Sequence, residues 1–330
     1  MKAAILVSPR KIEIHEAPLP EPADDEVLIR LLRAGVCGSD VSFYLGHRAG
    51  QFPLRLGHEL VGRVAATGQG VAKFEIGQRV TVEPNYPCGR CALCIAGRGL
   101  ICPNKLSMGI STPGCFAEYV SAPAEFVWAL PDPVSDLDGV TIEPLAVGLH
   151  ALYQSGARAG DTVAVVGCGA IGLLLIHAAV SHGIRVLAHD LLEEKLELAR
   201  QSGAIATREA DPGGLWRAEG ATTIFECAGG DGTAELAIQA APRGSKVVLL
   251  GLSASPASFS PLRLVREGIR IEPSLIYDHP ADFARALELV ENGTLHPSGI
   301  AGDTFPFDSI AGAMEAASTG RSGKVSVVFT

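Results

Sequence analysis

The stretch Thr162-Val-Ala-Val-Val166-Gly167-Cys168-Gly169-Ala170-Ile171-Gly172 decides how this chain folds. A short apolar run leads into Gly-x-Gly-x-x-Gly, and an apolar segment with helical character, Leu173–Val180, follows. Strand, glycine turn, helix is the context in which this fingerprint means a dinucleotide site. Gly167 permits the tight turn, Gly169 lets the backbone approach a pyrophosphate, and Gly172 lets the helix pack close to the strand. The phosphates then face the N–H groups of Ala170 and Ile171 and the positive end of the helix dipole.

Beyond this turn, strands and helices alternate. Arg185–His189, Thr223–Glu226 and Lys246–Leu250 read as strands, with Glu193–Gln201 and Ala234–Ala240 as helices between them. That alternation predicts βαβ units and a parallel sheet. Asp190 ends the second strand, 18 residues after Gly172. There its carboxylate can accept from the adenosine ribose hydroxyls and repel a 2′-phosphate, which favours NAD over NADP. Asp190 can equally cap the next helix, with Glu193 completing a capping box. Cys227 and Gly251 follow the next two strands, so both are expected beside the cofactor, which binds at the carboxyl ends of parallel strands. A strand Ile269–Ile276, a helix Asp282–Asn292 and a last strand Lys324–Phe329 complete the chain, and the last can return to the first domain.

Upstream of residue 145 the texture is all-β. Val27–Leu32, Leu60–Ala65, Arg79–Val82 and Phe116–Val120 are short strands between turn residues, as in a small barrel or sandwich. The 330 residues suggest about two domains. A net charge of −9 without a basic stripe argues against nucleic acid or an anionic membrane as partner. The start of the chain does not read as a signal peptide, so a cytoplasmic protein with reduced cysteines is expected.

Four of the eight cysteines, Cys88, Cys91, Cys94 and Cys102, follow C-x2-C-x2-C-x7-C. Such packing suits a closed tetrahedral S4 zinc site that holds a loop and does no chemistry. An iron–sulfur cluster shares the ligand type and is the main competitor. Cys37, His58, Glu59 and Glu143 offer one thiolate, one imidazole and two carboxylates, donors suited to a zinc ion with an open position. No spacing rule joins them. Taken singly, Cys37 reads as a small buried hydrophobe, His58 as a core histidine, and Glu143 before Pro144 as a helix start.

Gly35–Asp40, Gly57–Val71, the four-cysteine loop, Gly114–Val120, Ile142–Leu152 and Gly167–Gly172 occur in this order. Together they resemble the zinc-containing medium-chain dehydrogenases. Gly57-His58-Glu59-x2-Gly62-x5-Gly68-x2-Val71 matches that superfamily's zinc signature. The run Ile142-Glu143-Pro144-Leu-Ala-Val-Gly-Leu-His-Ala151 is similar to sorbitol and galactitol-phosphate dehydrogenases. The resemblance implies an α/β chain with a GroES-like β-rich catalytic domain over 1–144 and 278–330, and a Rossmann domain over 145–277. The active site would lie in the cleft between them.

Alcohol dehydrogenase is the usual example of a Cys2His catalytic zinc; this chain would be its carboxylate variant. By resemblance, Cys37 and His58 bind the catalytic zinc, and Glu59 and Glu143 share the remaining role, one directly and the other through water or by exchange. The implied chemistry is hydride transfer between a polyol, cyclitol or sugar alcohol and NAD, with one catalytic and one structural zinc per chain. Ser39 would take the hydroxyl proton. Related polyol enzymes often carry a histidine five residues after the ligand cysteine; Ser42 stands there, and His47 is the nearby substitute base. The resemblance also suggests dimers or tetramers paired along strand Ile269–Ile276. Phe43, Phe116 and Tyr277 are pocket-wall candidates, while Arg48, Arg55 and Arg98 are phosphate candidates or plain surface charges. A threonine-dehydrogenase-like or simple secondary-alcohol dehydrogenase is the alternative, and a non-catalytic NAD-binding redox sensor a remoter one.

Overall fold

Six parallel strands carry the glycine fingerprint in a computed structural model that describes residues 1–209 and 211–330. They are β1 (Thr162–Val166), β2 (Arg185–His189), β3 (Ile205–Thr207), β4 (Ala221–Glu226), β5 (Lys246–Leu249) and β6 (Arg270–Pro273). Their spatial order is 3-2-1-4-5-6, that of the doubly wound dinucleotide fold. The order reverses between β1 and β4, which pair directly, Val166 opposite Glu226. Val163–Val166 and Val186–His189 are fully buried, as expected for parallel strands covered on both faces.

The chain divides into two units, Met1–Glu143 with Leu287–Thr330, and Pro144–Ala286. The return to the first unit falls inside the helix Ala281–Glu291. The first half of that helix is tied to the helix Ile142–Ser155. His150 Nδ1 lies 2.7 Å from Asp282 Oδ2, Arg285 stacks over Tyr153 at 4.5 Å, and Phe283 meets Tyr277 edge-on.

Burial alone would push the Asp282 carboxyl up, but the bonds from His150 and the Asp278 N–H hold it below its usual range. A depressed carboxyl stabilises the fold above its unfolded-state pKa and loses that contribution as pH falls through the folded value. The carboxyl is buried beside His150, and the cost of its desolvation offsets part of what these bonds contribute. Asp282→Asn is expected to lower stability by about 1 kcal/mol at pH 7. Thermal melts should show the gap closing below about pH 4; a gap that persists at pH 3 would count against this account.

The first unit is built on a seven-stranded sheet. The strand Glu26–Gly35 is its spine, paired with Glu59–Thr67, Tyr119–Pro123 and Lys324–Val328, all antiparallel. Leu6, Ile29, Leu31, Leu56, Leu60, Met108 and Phe116 fill the core. Among the described residues no helix is long and apolar enough to cross a membrane.

Three sequence-based expectations are corrected. The strand assigned to Phe116–Val120 begins only at Tyr119; Phe116 instead spends its backbone on Ala4 and Leu56, and its ring lies against Gly57. The strand assigned to Ile269–Ile276 spans Arg270–Pro273, where proline has no N–H to continue the ladder and Ile276 turns into the left-handed region at φ 56°. Asp190 and Glu193 form no capping box, because Leu192 is the residue before the helix Glu193–Gln201 and supplies no side-chain cap.

Candidate active site and metal centres

Three strand ends meet in the first unit. Gly35 closes one strand, Glu59 opens the next opposite it, and Lys324 opens the C-terminal strand, where Ser326 faces Gly35. Cys37 follows Gly35 and precedes the short helix Gly38–Tyr44. Asp40 in that helix accepts from Cys37 N through Oδ2 at 2.9 Å and from Gly57 N through Oδ1 at 3.0 Å. One buried carboxylate therefore clamps the cysteine turn to the segment carrying His58 and Glu59.

The donor atoms of Cys37, His58 and Glu59 all lie within 4.8 Å of one another. His58 Nδ1 and Glu59 Oε2 are buried and have no hydrogen-bond partner among the described residues. A buried polar atom without a partner costs about 1–3 kcal/mol; His58 Nδ1 faces Asp40 Oδ1 at 3.7 Å, so Glu59 Oε2 is the atom that calls for a further bonding partner. Glu59 Oε1 accepts from Lys324 Nζ, and both side chains are buried. A Cβ at position 35 would collide with the Glu59 carboxylate, so only glycine leaves room for this pair.

The electrostatics agree. Burial pushes the His58 imidazole down, yet the negative field of Asp40, with Cys37 and Glu143, holds its pKa well above the ordinary value. Burial also pushes Lys324 down, and Glu59, Cys37 and Glu143 raise it above the usual lysine value. The anionic groups outnumber the cations that answer them. A thiolate, an imidazole and a carboxylate fit a zinc ion with one position open. Glu143 is buried and near enough for its charge to reach His58 and Lys324, but it is not one of the three clustered donors.

Cys88, Cys91, Cys94 and Cys102 also come together within 4.8 Å. Cys91 Sγ is 3.5 Å from Cys94 Sγ and 3.8 Å from Cys102 Sγ. A tetrahedron with Zn–S bonds near 2.3 Å has edges of about 3.8 Å, so the spacing fits one ion. Backbone N–H groups of Arg90 and Cys91 pull the Cys88 thiol down to about 6, while desolvation and the neighbouring thiols push Cys94 up to about 12. Four thiols this close cannot all ionise without a cation among them. All eight cysteines are free.

In the second unit, Gly167 turns at φ 92° with Ala228 against it, and a Cβ on Gly172 would collide with Gly167 O. Gly169 precedes the helix Ala170–Ser181, which presents the first N–H groups at Ala170 and Ile171. Asp190 Oδ2 accepts from Cys168 N at 2.7 Å and Oδ1 from Leu192 N at 3.0 Å, so its carboxylate is anchored beside the glycine turn. Cys227 N donates to Val166 O at 2.8 Å, and burial raises its thiol well above the ordinary value. Gly251 follows β5.

The remaining candidates are spread over both units. Phe43 and Phe116 belong to the first unit's core, and Tyr277 is buried against Phe283. All three are buried among apolar or aromatic neighbours. Arg48 stacks over Phe43, Arg55 is half-buried, and Arg98 is exposed. His47 is exposed, while Ser39 is half-buried and its hydroxyl makes no hydrogen bond among the described residues. Sequence reasoning assigned no role to Asp40, Lys324 or Gly35. Asp40 stood inside the quoted Cys37 motif, and its spacing of three from Cys37 is the available signal; Lys324 had none.

The family model described as alcohol dehydrogenase GroES-like domain matches residues 23–132, and that described as zinc-binding dehydrogenase matches residues 170–292. Sorbitol dehydrogenase of Bacillus subtilis is 32% identical, over 96% of this chain and 93% of that protein. The chain belongs to the zinc-binding medium-chain alcohol dehydrogenases. The solved RspB dehydrogenase of Escherichia coli CFT073, complexed with NADH, is 28% identical with a TM-score of 0.92, covering 100% of this chain and 99% of that one. A zinc-binding dehydrogenase of Sinorhizobium meliloti 1021 bound to NADP is 31% identical with a TM-score of 0.88, covering 99% and 98%. The expected pairing of a GroES-like with a Rossmann fold is thus borne out, as is the kinship with polyol dehydrogenases.

Proposed function

We propose that this medium-chain dehydrogenase transfers hydride between a secondary alcohol of the polyol, cyclitol or sugar-alcohol class and NAD, in the cytoplasm, with two zinc ions per chain. The observation that carries the reading is the Cys37, His58, Glu59 cluster with its orphaned buried Glu59 Oε2. In this reading Cys37, His58 and Glu59 hold the catalytic ion, Glu143 stands behind them, and the four cysteines hold a structural ion. Zinc, when bound, supplies a Lewis acid that lets an alcohol hydroxyl lose its proton near neutral pH.

The chain's own residues do the rest. Lys324 restrains Glu59 through Oε1 and leaves Oε2 open. Asp40 fixes the turn that carries Cys37. Ser39 Oγ, half-buried and without a hydrogen-bond partner among the described residues, takes the hydroxyl proton and passes it on through water, helped by Ser42. Ser39→Ala should cost on the order of 10²-fold in turnover, and His47→Ala should cost little. A comparably large loss from His47→Ala, with zinc content unchanged, would make His47 the terminal base.

Cofactor choice rests on Asp190, since the solved relatives carry NADH in one case and NADP in the other. A carboxylate beside the adenosine ribose repels a 2′-phosphate. Asp190→Ala should weaken NAD use and shift the NADP-to-NAD preference toward NADP by roughly tenfold. A wild type that reduces NADP more efficiently than NAD would refute the assignment.

The deciding experiment is a screen of NAD reduction over polyols, sugar phosphates, inositols and threonine, run beside elemental analysis. Turnover of a polyol with two zinc ions per chain is the expected result. Threonine as the only substrate would favour the threonine-dehydrogenase-like alternative, and cofactor binding without turnover of any alcohol would favour the redox sensor.

A further inference from the structure

Glu226 is a buried charge without a task so far. It ends β4, is 1% exposed, and forms no ion pair among the described residues. Its Oε1 accepts from Ala228 N at 2.9 Å and Gly229 N at 2.8 Å. Its backbone oxygen accepts from Leu250 N and Gly251 N, each at 2.9 Å. Its Oε2 faces Gly251, where a Cβ would collide with it. Ala228 in turn lies against Gly167, so a Cβ at 167 would come within 2.6 Å of the Ala228 side chain. The loops after β1, β4 and β5 are therefore knit around one carboxylate, at the point where the strand order reverses.

Burying a carboxylate without a counter-ion is costly. Two N–H bonds on one oxygen offset part of that cost, and the other oxygen lies close against Gly251. A residue of this kind fixes backbone geometry that an apolar residue would leave loose. The doubly wound fold binds one mononucleotide half on each side of the reversal. The fingerprint turn and Asp190 serve the adenosine side, whereas Glu226, Gly229 and Gly251 belong to the β4–β6 side.

We propose that Glu226 is a positioning residue for the nicotinamide half of the cofactor, holding the Cys227–Gly230 loop against Gly251. This rests on the cofactor reading above. The test uses the zinc-loaded full chain and measures NADH binding by fluorescence titration and AMP binding by calorimetry, with thermal melts alongside. Glu226→Ala should weaken NADH by roughly tenfold, because the N–H groups of Ala228 and Gly229 lose the acceptor that fixes their loop. AMP, which fills only the adenosine side, should keep its affinity. Glu226→Gln, whose amide oxygen can accept the same two N–H groups, should recover most of the loss.

If Glu226→Ala does not fold, Gly251→Ala, which drives a methyl group at the same carboxylate, should reproduce the pattern. Unchanged NADH affinity in the folded Ala variant or in Gly251→Ala overturns the proposal. So does an equal loss of AMP and NADH, and so does a Gln variant as weak as Ala. A wild type that binds no nicotinamide nucleotide would instead be a failure of the cofactor reading itself.

Discussion

Replacing Lys324 by methionine is expected to destabilise the first unit by about 3–5 kcal/mol, among the largest effects open to a single substitution here. Lys324 and Glu59 are both buried, and their bond joins positions 265 residues apart. Removing one partner leaves a charge in a medium that cannot solvate it, whereas replacing both by neutral groups removes the problem with the interaction. The double variant Lys324→Met/Glu59→Gln should therefore recover most of the loss. Urea denaturation of the metal-stripped protein measures both. A single-variant loss below about 1 kcal/mol, or a double variant no better than the single, would show that the buried pair does not carry the stability of the first unit.

Cys37→Ala is expected to lower the zinc content from two to one per chain and turnover by about 10³-fold or more, since a Lewis acid supplies several kcal/mol of transition-state stabilisation. Cys91→Ala should also lower the count to one, because it breaks the four-thiol set. Its first symptom should differ: a lower melting temperature with the chemistry spared, since a closed site holds structure. Elemental analysis, melts and steady-state rates on the two variants separate the roles. Full turnover in Cys37→Ala with two zinc ions retained would remove the catalytic centre from this cluster.

The parts of the fold that were legible in the sequence are those with local causes. Thr162–Val166 and Arg185–His189 read as strands because a strand buried on both faces is a continuous apolar run, and both run to the expected residues. Glu193–Gln201 likewise keeps its expected bounds as a helix. Phe116 misled because its apolar surroundings mark core, not ladder: the residue is fully buried while its backbone bonds to two different segments. The capping-box reading of Asp190 failed because its carboxylate accepts from Cys168 across the neighbouring turn and from Leu192, ahead of the helix. The four-cysteine group is visible by spacing alone. Cys37, His58 and Glu59 are not, since the sheet register brings them together; only the resemblance joined them. Lys324 could not be found at all, because no periodicity links a strand opener to a carboxylate so far upstream.

That separation has a consequence for how the protein is made. At a ribosomal rate of roughly 5–20 residues per second, Glu59 emerges roughly 15–50 s before the lysine that neutralises it, 265 residues later. The intervening span, Pro144–Ala286, is contiguous and can fold on its own schedule. The first unit cannot, because its spine strand Glu26–Gly35 waits for Lys324–Val328 to dock beside it. Until then it holds an open sheet edge and a carboxylate with no counter-ion, the kind of interval in which nascent chains recruit chaperones.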